Sequence, residues 1–511
     1  MSVSLRNIAI RVDASSQIGT GHFMRCLTLA DVLKHRGATI RFICRHISEY
    51  LQAIAEDRGY EIMLFKSPEE NSVVDELLHS CWLGTNQQVD AEESIKLLSD
   101  QTWDWLIVDH YALDWRWESS LRSSTKHLLV IDDLADRKHD CDILLDQNFY
   151  ADMQSRYFGK VPEHCRLLLG PRYALLRDEF RQLREQVKLR TVPVKRILVF
   201  FGGVDVDNYT GKTIEALVSL GMKDLHVDIV VGKHHPYREQ IESICLQQNF
   251  GCHIQTNRMA ELMAAADLSI GAGGSATWER CCLGLPTIAF CTADNQFKQI
   301  IDAAAEGLIY APDNKNEFTN VFKRHLLALM ENNCLLRSIS EKAIQAVDGC
   351  GALRLISKMG FSGIYIRVAS AEDSEYLFAW RNHPSIRLVS RNTEEISWHN
   401  HQQWFSKVLN SSDKLLLLGE REGKSVGVIR FDIEGGDEAE VSIYLVPSLK
   451  ESGLGGELLQ SAEHWLADHY SAIRFIRAQV LGNNIRSHRL FSGADYKLES
   501  TFYIKELRCH E

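Results

Sequence analysis

The sequence predicts an α/β protein with three successive domains, two built on parallel sheets and a third on an α+β plan. Length is the first reason, because 511 residues correspond to about three domains at roughly 150 residues each. Up to about residue 358, short strands rich in β-branched residues alternate with helical segments, which indicates parallel strands covered by helices on both faces. After that point, consecutive strands flank the turn at 421–424, which indicates antiparallel pairing.

The composition is that of an ordinary globular protein, with 45% hydrophobic and 24% charged residues. The net charge of −11 argues against general nucleic-acid binding. The sequence has neither a run of about 20 apolar residues nor a signal-peptide core, so we expect a cytoplasmic protein without a membrane partner. The 13 cysteines include no CxxC pair, which favours reduced thiols and no bound metal. We expect Cys281 and Cys282 to pack inside the protein.

Residues 1–190 are assigned to the first domain, where a strand at 8–12 leads into Gly19-Thr20-Gly21-His22. The two glycines permit a tight turn before a helix, which we place at 26–36. Unpaired backbone N–H groups and the positive end of the helix dipole favour an anionic ligand and disfavour imidazolium there. We therefore expect His22 to be neutral and to act as a general base, although a simple turn with a capping histidine also fits.

Other polar side chains follow the strands of this domain. The carboxyl ends of parallel strands meet at one edge of a sheet, where ligands bind in such folds. We expect that edge to gather these side chains, although each of them alone also fits an N-cap or a loop carboxylate. The residues concerned are Asp13, Asp109, His110, Tyr111, Asp132 and Asp133.

The second domain is assigned to residues 191–358, with strands predicted at 226–231 and 287–290. It contains a glycine-rich loop, Gly271-Ala272-Gly273-Gly274-Ser275, between a strand and a helix. Such a loop binds phosphate through backbone N–H groups. It lacks the Lys-Ser/Thr ending of a Walker loop, so ATP hydrolysis is not expected. Glu279 follows one helical turn later, where it could accept hydrogen bonds from a ribose diol; an exposed helix carboxylate is the alternative.

Two such domains would face each other across a cleft, as in GT-B nucleotide-sugar enzymes. Collinear motifs extend over the first 350 residues: Arg11–Ser15 with Gly19–His22 and Arg25, Asp109–Tyr111, Asp132–Leu134, Leu144–Asn148, Leu169–Arg177, Phe201–Gly203, Gly273–Ser275 and Asp294–Gln296. This set resembles the UDP-sugar hydrolase family of pseudaminic acid biosynthesis, which removes UDP from UDP-2,4-diacetamido-2,4,6-trideoxy-β-L-altropyranose. The resemblance implies two Rossmann-like domains in a GT-B-like arrangement.

The resemblance also implies roles for individual residues. His22 would be the base for the attacking water, while Tyr111 and Asn295 would help to place the sugar. Direct attack by water would invert the anomeric centre, and the protein would supply the positive field without a metal. The residues expected to bind the substrate, including its ribose and diphosphate, are Asp13, Gly19, Gly21, Arg25, Gly273, Gly274, Ser275, Glu279 and Gln296.

The third domain is assigned to residues 363–511 and has its own glycine loop, Lys450-Glu451-Ser452-Gly453-Leu454-Gly455-Gly456, before an amphipathic helix. The loop resembles the one with which GNAT-type acetyltransferases hold acetyl-CoA, with Lys450 in the usual Arg or Gln position. Asn484 and Ser487 resemble the N-x-x-S helix of the same family. The implied cosubstrate is acetyl-CoA, held by Lys450, Ser452, Gly453, Gly455, Gly456, Asn484 and Ser487.

Phe491 stands where many GNAT members have the tyrosine that protonates the departing thiolate, which leaves Tyr496, Ser487 or water for that role. The acceptor side resembles the sugar-amine acetyltransferase of the same pathway. The stretches that carry this likeness are Trp380–Asn382, Arg387 and His399–Phe405.

Together the two resemblances imply consecutive steps, in which the 4-amino group of a UDP-sugar is acetylated and the product is hydrolysed from UDP. The expected partners are therefore a UDP-sugar and acetyl-CoA. Two alternatives remain open. The first two domains also fit a GT-B glycosyltransferase that admits a sugar hydroxyl in place of water. The chain also fits a sensor that binds nucleotide sugar or CoA without turnover.

Overall fold

The computed structural model shows two compact units, Met1–Lys358 and Met359–Glu511. The first unit contains two separate parallel sheets, and the second contains one mixed sheet. The structure describes residues 6–15, 17–65, 75–184, 186–221, 224–293, 296–312, 318–361, 363–390, 392–421, 423–433, 437–449, 453–481, 484–494 and 496–498.

Seven strands form the first sheet of the first unit, and each is parallel to its neighbours. They are β1 (Arg6–Val12), β2 (Ala38–Cys44), β3 (Glu61–Leu64), β4 (Trp103–Asp109), β5 (Thr125–Ile131), β6 (Ile143–Asp146) and β7 (Arg166–Leu169). Their order is β3-β2-β1-β4-β5-β6-β7. The strands β1, β4, β5 and β6 therefore end side by side at one edge of the sheet.

The described α-helices of this half separate consecutive strands from β1 to β5, as is usual for parallel pairing, and one more follows β7. They are α1 (Gly21–Lys34), α2 (Glu49–Asp57), α3 (Gln87–Leu98), α4 (Trp115–Leu121) and α5 (Asp178–Arg184). The central strand β1 has a continuous buried run, from Ile8 to Val12, because both faces of the sheet are covered.

The second sheet has five parallel strands in the order β10-β9-β8-β11-β12. They are β8 (Arg196–Phe200), β9 (His226–Val231), β10 (Gly251–Ile254), β11 (Leu268–Ala272) and β12 (Thr287–Phe290). The helices are α6 (Tyr209–Leu220), α7 (Arg238–Gln248), α8 (Met259–Ala265), α9 (Ala276–Cys282), α10 (Phe297–Glu306), α11 (Phe318–Glu331), α12 (Asn333–Ala346) and α13 (Gly351–Lys358).

Hydrogen bonds, ion pairs and helix packing join the halves of the first unit. The indole Nε1 of Trp278, on α9, donates a hydrogen bond of 2.8 Å to Oδ1 of Asn148, which follows β6. The last helix, α13, returns to the first half and packs against α1. Gly351, at the start of α13, lies directly on the backbone of Tyr173 and Ala174. The two sheets are thereby held together with their strand-end loops on a shared cavity.

The sheet of the second unit has the order β13-β14-β15-β16-β17 and is antiparallel except for its last pair. Its strands are β13 (Tyr365–Val368), β14 (Lys414–Arg421), β15 (Lys424–Ile433), β16 (Glu438–Leu445) and β17 (Phe475–Ala478). Its helices are α14 (Ser374–Asn382), α15 (Pro384–Arg387), α16 (Trp398–Leu409), α17 (Leu454–His469) and α18 (Ile485–Gly493). One face of the sheet packs against α17 and the other against α14 and α16.

The strands predicted at 226–231 and 287–290 are confirmed at those bounds, as β9 and β12. The helical segment predicted at 26–36 belongs to the longer helix α1, which runs from Gly21 to Lys34 and has His22 in its first turn, as expected. Phe23 is fully buried and Arg25 is bound to carboxylates, so tertiary contacts hold the first turn in helical form. The sequence analysis also did not identify the short strands β3, β6 and β7 as strands.

No described helix is both long enough and apolar enough to cross a membrane. In the described part of the chain, no three histidine, cysteine, aspartate or glutamate side chains come together as metal ligands would. The described cysteines are free thiols. The expectation that Cys281 and Cys282 pack inside is confirmed, since both belong to the buried core of the first unit.

Replacing Gly351 by alanine is expected to destabilise the first unit. A Cβ atom at this position would lie 2.3 Å from the carbonyl oxygen of Ala174 and 2.4 Å from the carbonyl carbon of Tyr173. Overpacking of this kind costs about 1–3 kcal/mol, which exceeds the gain of about 0.5–1 kcal/mol from placing alanine in a helix. Urea denaturation would measure the loss. Gly203→Ala, whose Cβ would meet no atom within 4 Å, is the matched control and should leave the midpoint nearly unchanged.

Candidate active site

A cavity of about 210 Å³ lies between the two sheets of the first unit, where the loops after their strands meet. It is smaller than the roughly 300–1,000 Å³ of typical pockets for whole ligands, so it suits one end of an extended ligand. The first half contributes Ile18, Gly21, His22, Arg25, Tyr111, Asp133, Leu134, Gln147, Asn148 and Tyr150 to its lining, and the second half contributes Gly274, Ser275, Gln296 and Gln299.

His22 is held at the cavity by a carboxylate from the neighbouring strand. Its Nδ1 lies 2.6 Å from Oδ1 of Asp109, the last residue of β4. Arg25, one turn further along α1, donates from Nε to Oδ2 of Asp109 and from Nη2 to Oδ1, each at 2.6 Å. The bidentate pair fixes the carboxylate, and the carboxylate in turn fixes the imidazole.

Asp109 is fully charged in this arrangement. Burial by itself raises the pKa of Asp109, but the charge of Arg25 and the hydrogen bonds from Arg25 and His22 outweigh it and hold that pKa well below its usual range. An ionised carboxylate can accept the Nδ1–H of His22. The side chain of His22 is 11% exposed and lines the cavity.

A second carboxylate, Asp133, organises the wall beside His22. It accepts hydrogen bonds from the hydroxyl of Tyr111, from Arg25 at 3.2 Å and from Nδ2 of Asn148 at 3.1 Å. The rings of His22 and Tyr111 meet edge to face with centroids 4.6 Å apart. Burial and the charge of Asp133 raise the pKa of Tyr111 well above its ordinary value, so the phenol stays protonated.

Asp13 does not line this cavity, so its expected contact with the substrate stays a prediction. Its carboxylate is completely buried between Arg11, at 2.7 and 3.0 Å, and the backbone N–H groups of Arg45 and His46. Nε2 of His110 lies 3.2 Å from it on the other side. Through these contacts Asp13 holds together the residues that follow β1 and β2. Gly19, with a φ of +79°, shapes the turn before α1 without lining the cavity.

The glycine-rich loop of the second half reaches the cavity through Gly274 and Ser275. Gly273 lies against Ile300, whose Cγ1 would be 2.2 Å from a Cβ at that position, so any side chain there would displace the loop. Behind the loop, the buried Arg280 donates from Nη2 to the carbonyl of Ala272. Burial lowers the pKa of Arg280 to about 10.

The other residues expected in the second half occupy different places. Glu279 is 23% exposed, 3.8 Å from Arg177, and burial raises its pKa; it does not line the cavity. Gln296 lines the cavity and accepts a hydrogen bond from the hydroxyl of Thr292 at 3.1 Å. Asn295 lies outside the described residues, so its expected place beside the sugar stays a prediction.

The second unit has a larger cavity, of about 440 Å³, where β16 and β17 separate. These parallel strands pair only from Glu438 to Val441, and beyond that point Ser442 and Tyr444 line the cavity on one side and Gln479 on the other. A ligand between the strands can therefore use the unpaired backbone edge of β16.

The expected acetyl-CoA residues lie around this opening only in part. Asn484 and Ser487 line the cavity, and Oδ1 of Asn484 accepts the backbone N–H of Ser487 at 3.2 Å. Gly453 precedes α17 with a φ of +88°, a conformation that favours glycine. Gly455 and Gly456 form the first turn of α17, whereas Lys450 and Ser452 lie outside the described residues.

The structure narrows the choice of proton donor in the second unit. Phe491 lines the cavity, but the hydroxyl of Tyr496 donates to Glu463 at 2.7 Å and Tyr496 does not line it. Ser487 remains, and Tyr444, which the sequence analysis did not consider, presents a phenol whose pKa is raised by burial. His401 is buried, and its Nε2 lies 2.9 Å from the carbonyl oxygen of Ser374, which favours a structural role.

Comparisons with known proteins agree with these two sites. Residues 375–495 match the acetyltransferase (GNAT) family. The chain is similar to the UDP-2,4-diacetamido-2,4,6-trideoxy-beta-L-altropyranose hydrolase of Campylobacter jejuni, with 26% identity over 290 residues, which cover 57% of this chain and 93% of the hydrolase. It is also similar to the acetyltransferase PseH of Campylobacter jejuni, with 25% identity over 122 residues, which cover 24% of this chain and 75% of PseH.

Among solved structures, the glycotransferase of kitacinnamycin aligns with 70% of this chain and 99% of its own, with 15% identity and a TM-score of 0.50. The sequence-based identification of a region like the UDP-sugar hydrolase joined to a C-terminal GNAT domain is confirmed. The predicted fold class is also confirmed, with two Rossmann-like sheets in a GT-B-like first unit and an α+β second unit.

Replacing Asp13 by asparagine is expected to lower stability. The change removes a negative charge that balances the buried guanidinium of Arg11. This loss costs roughly 3–5 kcal/mol of unfolding free energy at neutral pH. The charge of Arg11 holds the pKa of Asp13 well below the unfolded value of about 3.9. This contribution is therefore fully present above that value and is lost progressively as pH falls below it towards the lower pKa of the folded protein. Denaturant titrations at several pH values should therefore show the gap between variant and wild type closing in acid.

Asp100→Asn is the control, because its carboxylate pairs with Arg41 at the surface and is 54% exposed. Its removal should cost no more than about 1 kcal/mol. If the Asp13→Asn variant instead has unchanged stability and a raised KM, Asp13 contacts the substrate directly.

Proposed function

We propose that the first unit hydrolyses a UDP-linked 2,4-diacetamido-2,4,6-trideoxy sugar and that the second unit acetylates the 4-amino precursor with acetyl-CoA. The main support for the hydrolase activity is the pairing of His22 with Asp109 at 2.6 Å, at a cavity that both α/β halves line. The similarity to the Campylobacter jejuni hydrolase supports the substrate class.

In this mechanism, Nε2 of His22 takes a proton from a water molecule as its oxygen attacks the anomeric carbon. The bond between that carbon and the UDP oxygen breaks, and UDP leaves with the electron pair. The negative charge of Asp109, which Arg25 holds in place, stabilises the imidazolium that forms. Attack from the face opposite UDP gives the inverted sugar.

The diphosphate is assigned to the loop Gly271–Ser275, and Glu279 to the ribose. The loop supports this assignment because Gly274 and Ser275 line the same cavity as His22. Asn295 and Tyr111 are proposed to position the sugar ring; the phenol of Tyr111 is held by Asp133 and so contributes a fixed surface. We further propose a boundary between the two halves near residue 190.

Replacing His22 by asparagine is expected to lower kcat for UDP release by about 10²–10⁴-fold, the usual contribution of a general base. Asp109→Asn should also lower kcat, because the amide no longer holds the Nδ1–H tautomer. A coupled assay for UDP would measure both. His35→Asn, an exposed histidine at the end of the same helix, should retain full activity.

The same assay decides between the hydrolase and its alternatives. UDP release from the nucleotide sugar without any added acceptor supports hydrolysis. Release that requires a sugar hydroxyl would show a glycosyltransferase. Tight UDP binding without cleavage of any 2,4-diacetamido sugar would show a sensor and overturn the catalytic proposal.

The acetyl transfer is proposed to occur at the opening between β16 and β17. The family match and the 440 Å³ cavity support it. The amine attacks the thioester carbonyl, the carbon–sulfur bond breaks, and the CoA thiolate takes up a proton while the product amide loses one. Chemically this step precedes hydrolysis, because the acetylated sugar is the proposed substrate of the first unit.

Replacing Phe491 by tyrosine is expected to raise kcat for acetylation by roughly 10-fold, since it adds a hydroxyl at the cavity where many GNAT enzymes have one. Thiol release measured at saturating acetyl-CoA would show the gain. Tyr496→Phe is the matched control and should leave kcat unchanged, because its hydroxyl is bound to Glu463. Equal rates for Phe491→Tyr and wild type, in a folded variant, would contradict this account of the missing acid.

A further inference from the structure

Gln299 is a buried amide side chain at the hydrolase cavity. It lies in the first turn of α10, is only 4% exposed, and lines the same cavity as His22. Its Nε2 is buried and has no hydrogen-bond partner among the described residues. Leaving a buried donor unpaired costs free energy, so such groups call for a ligand.

Three other amide side chains line the cavity, and all three are already used by the protein. Asn148 donates to Asp133 and accepts from Trp278. Oε1 of Gln147 accepts the backbone N–H of Leu175 at 3.1 Å, and Oε1 of Gln296 accepts from Thr292. Among the described residues, Gln299 alone of the four amides makes no hydrogen bond through its side chain.

Two apolar side chains line the same cavity as this donor. Ile18 comes from the turn before α1 and Leu134 from the loop after β5, and both line the cavity. A buried N–H donor near apolar walls matches an N-acetyl group, which presents a carbonyl oxygen beside a methyl group. A hydroxyl in place of that group would leave the apolar contact unused.

We propose that Nε2 of Gln299 donates a hydrogen bond to the carbonyl oxygen of an acetamido group of the sugar, and that Gln299 thereby selects for N-acetylated substrates. The proposal rests on the proposed hydrolase function. The second half of the first unit would then recognise the sugar in addition to binding the nucleotide. Where the recognised group is the one at C4, the 4-amino precursor is hydrolysed slowly, which keeps acetylation ahead of hydrolysis without any transfer between the two units.

The test compares Gln299→Met with wild type on matched substrates. Methionine keeps the length of glutamine but removes the donor. The substrates are the UDP-2,4-diacetamido sugar and two analogues, each with a hydroxyl in place of one acetamido group. In wild type, kcat/KM should be about 10–100-fold lower for the analogue that lacks the recognised group. In Gln299→Met, kcat/KM for the full substrate should fall by a similar factor, and that analogue should change little.

The ratio of kcat/KM for the full substrate and this analogue therefore collapses towards one in the variant. Equal losses of Gln299→Met on all three substrates would show a purely structural role and overturn the inference, as would an unchanged ratio. Lys298→Met, at an exposed position on the same helix, is the control and should keep the wild-type ratio. Failure of wild type to release UDP from any of the three substrates would instead refute the hydrolase function itself.

Discussion

The first unit depends on a charged carboxylate, Asp109, buried where α1 meets the end of β4. A carboxylate without exposure to water is stable as an anion only with opposite charge and donors around it. Arg25 provides both, through two hydrogen bonds of 2.6 Å, and His22 provides a third donor. The same contacts anchor the first turn of α1 and orient the imidazole. The attachment of the helix to the sheet therefore also positions the proposed base.

The cavity beside this pair is built by both halves of the unit. The hydrogen bond between Trp278 and Asn148 ties the helix after the glycine-rich loop to the loop after β6. Asn148 also donates to Asp133, which holds Tyr111 and Arg25. A chain of hydrogen bonds thus runs from the second sheet to the surroundings of His22. Gln299 lies on the second sheet's side of the same cavity but outside this chain of hydrogen bonds, and its unpaired donor is available to a ligand.

The second unit exposes backbone polar groups to a ligand through a gap between two strands. Here the parallel strands β16 and β17 pair over four residues and then separate, leaving one edge of β16 without a neighbour beside the cavity. Alternation along β16 sends Val441 towards α17 and Ser442 and Tyr444 towards the opposite face. The opening therefore carries hydroxyl groups on one side and the packed helix on the other.

The sequence by itself determined the elements whose signal is local. The strands at 226–231 and 287–290 and the glycine turns follow from short apolar runs and turn residues, and the GNAT domain follows from a resemblance of its glycine loop to that family. Most of the fold and the place of His22 at the start of a helix could therefore be predicted. Only the tertiary structure decided that Asp109, 87 residues away, is the partner of His22 while Asp13, with the same strand-end position, is buried behind the site. The physical reason is that backbone preference acts between near neighbours, whereas hydrogen bonding and burial depend on which strands lie side by side.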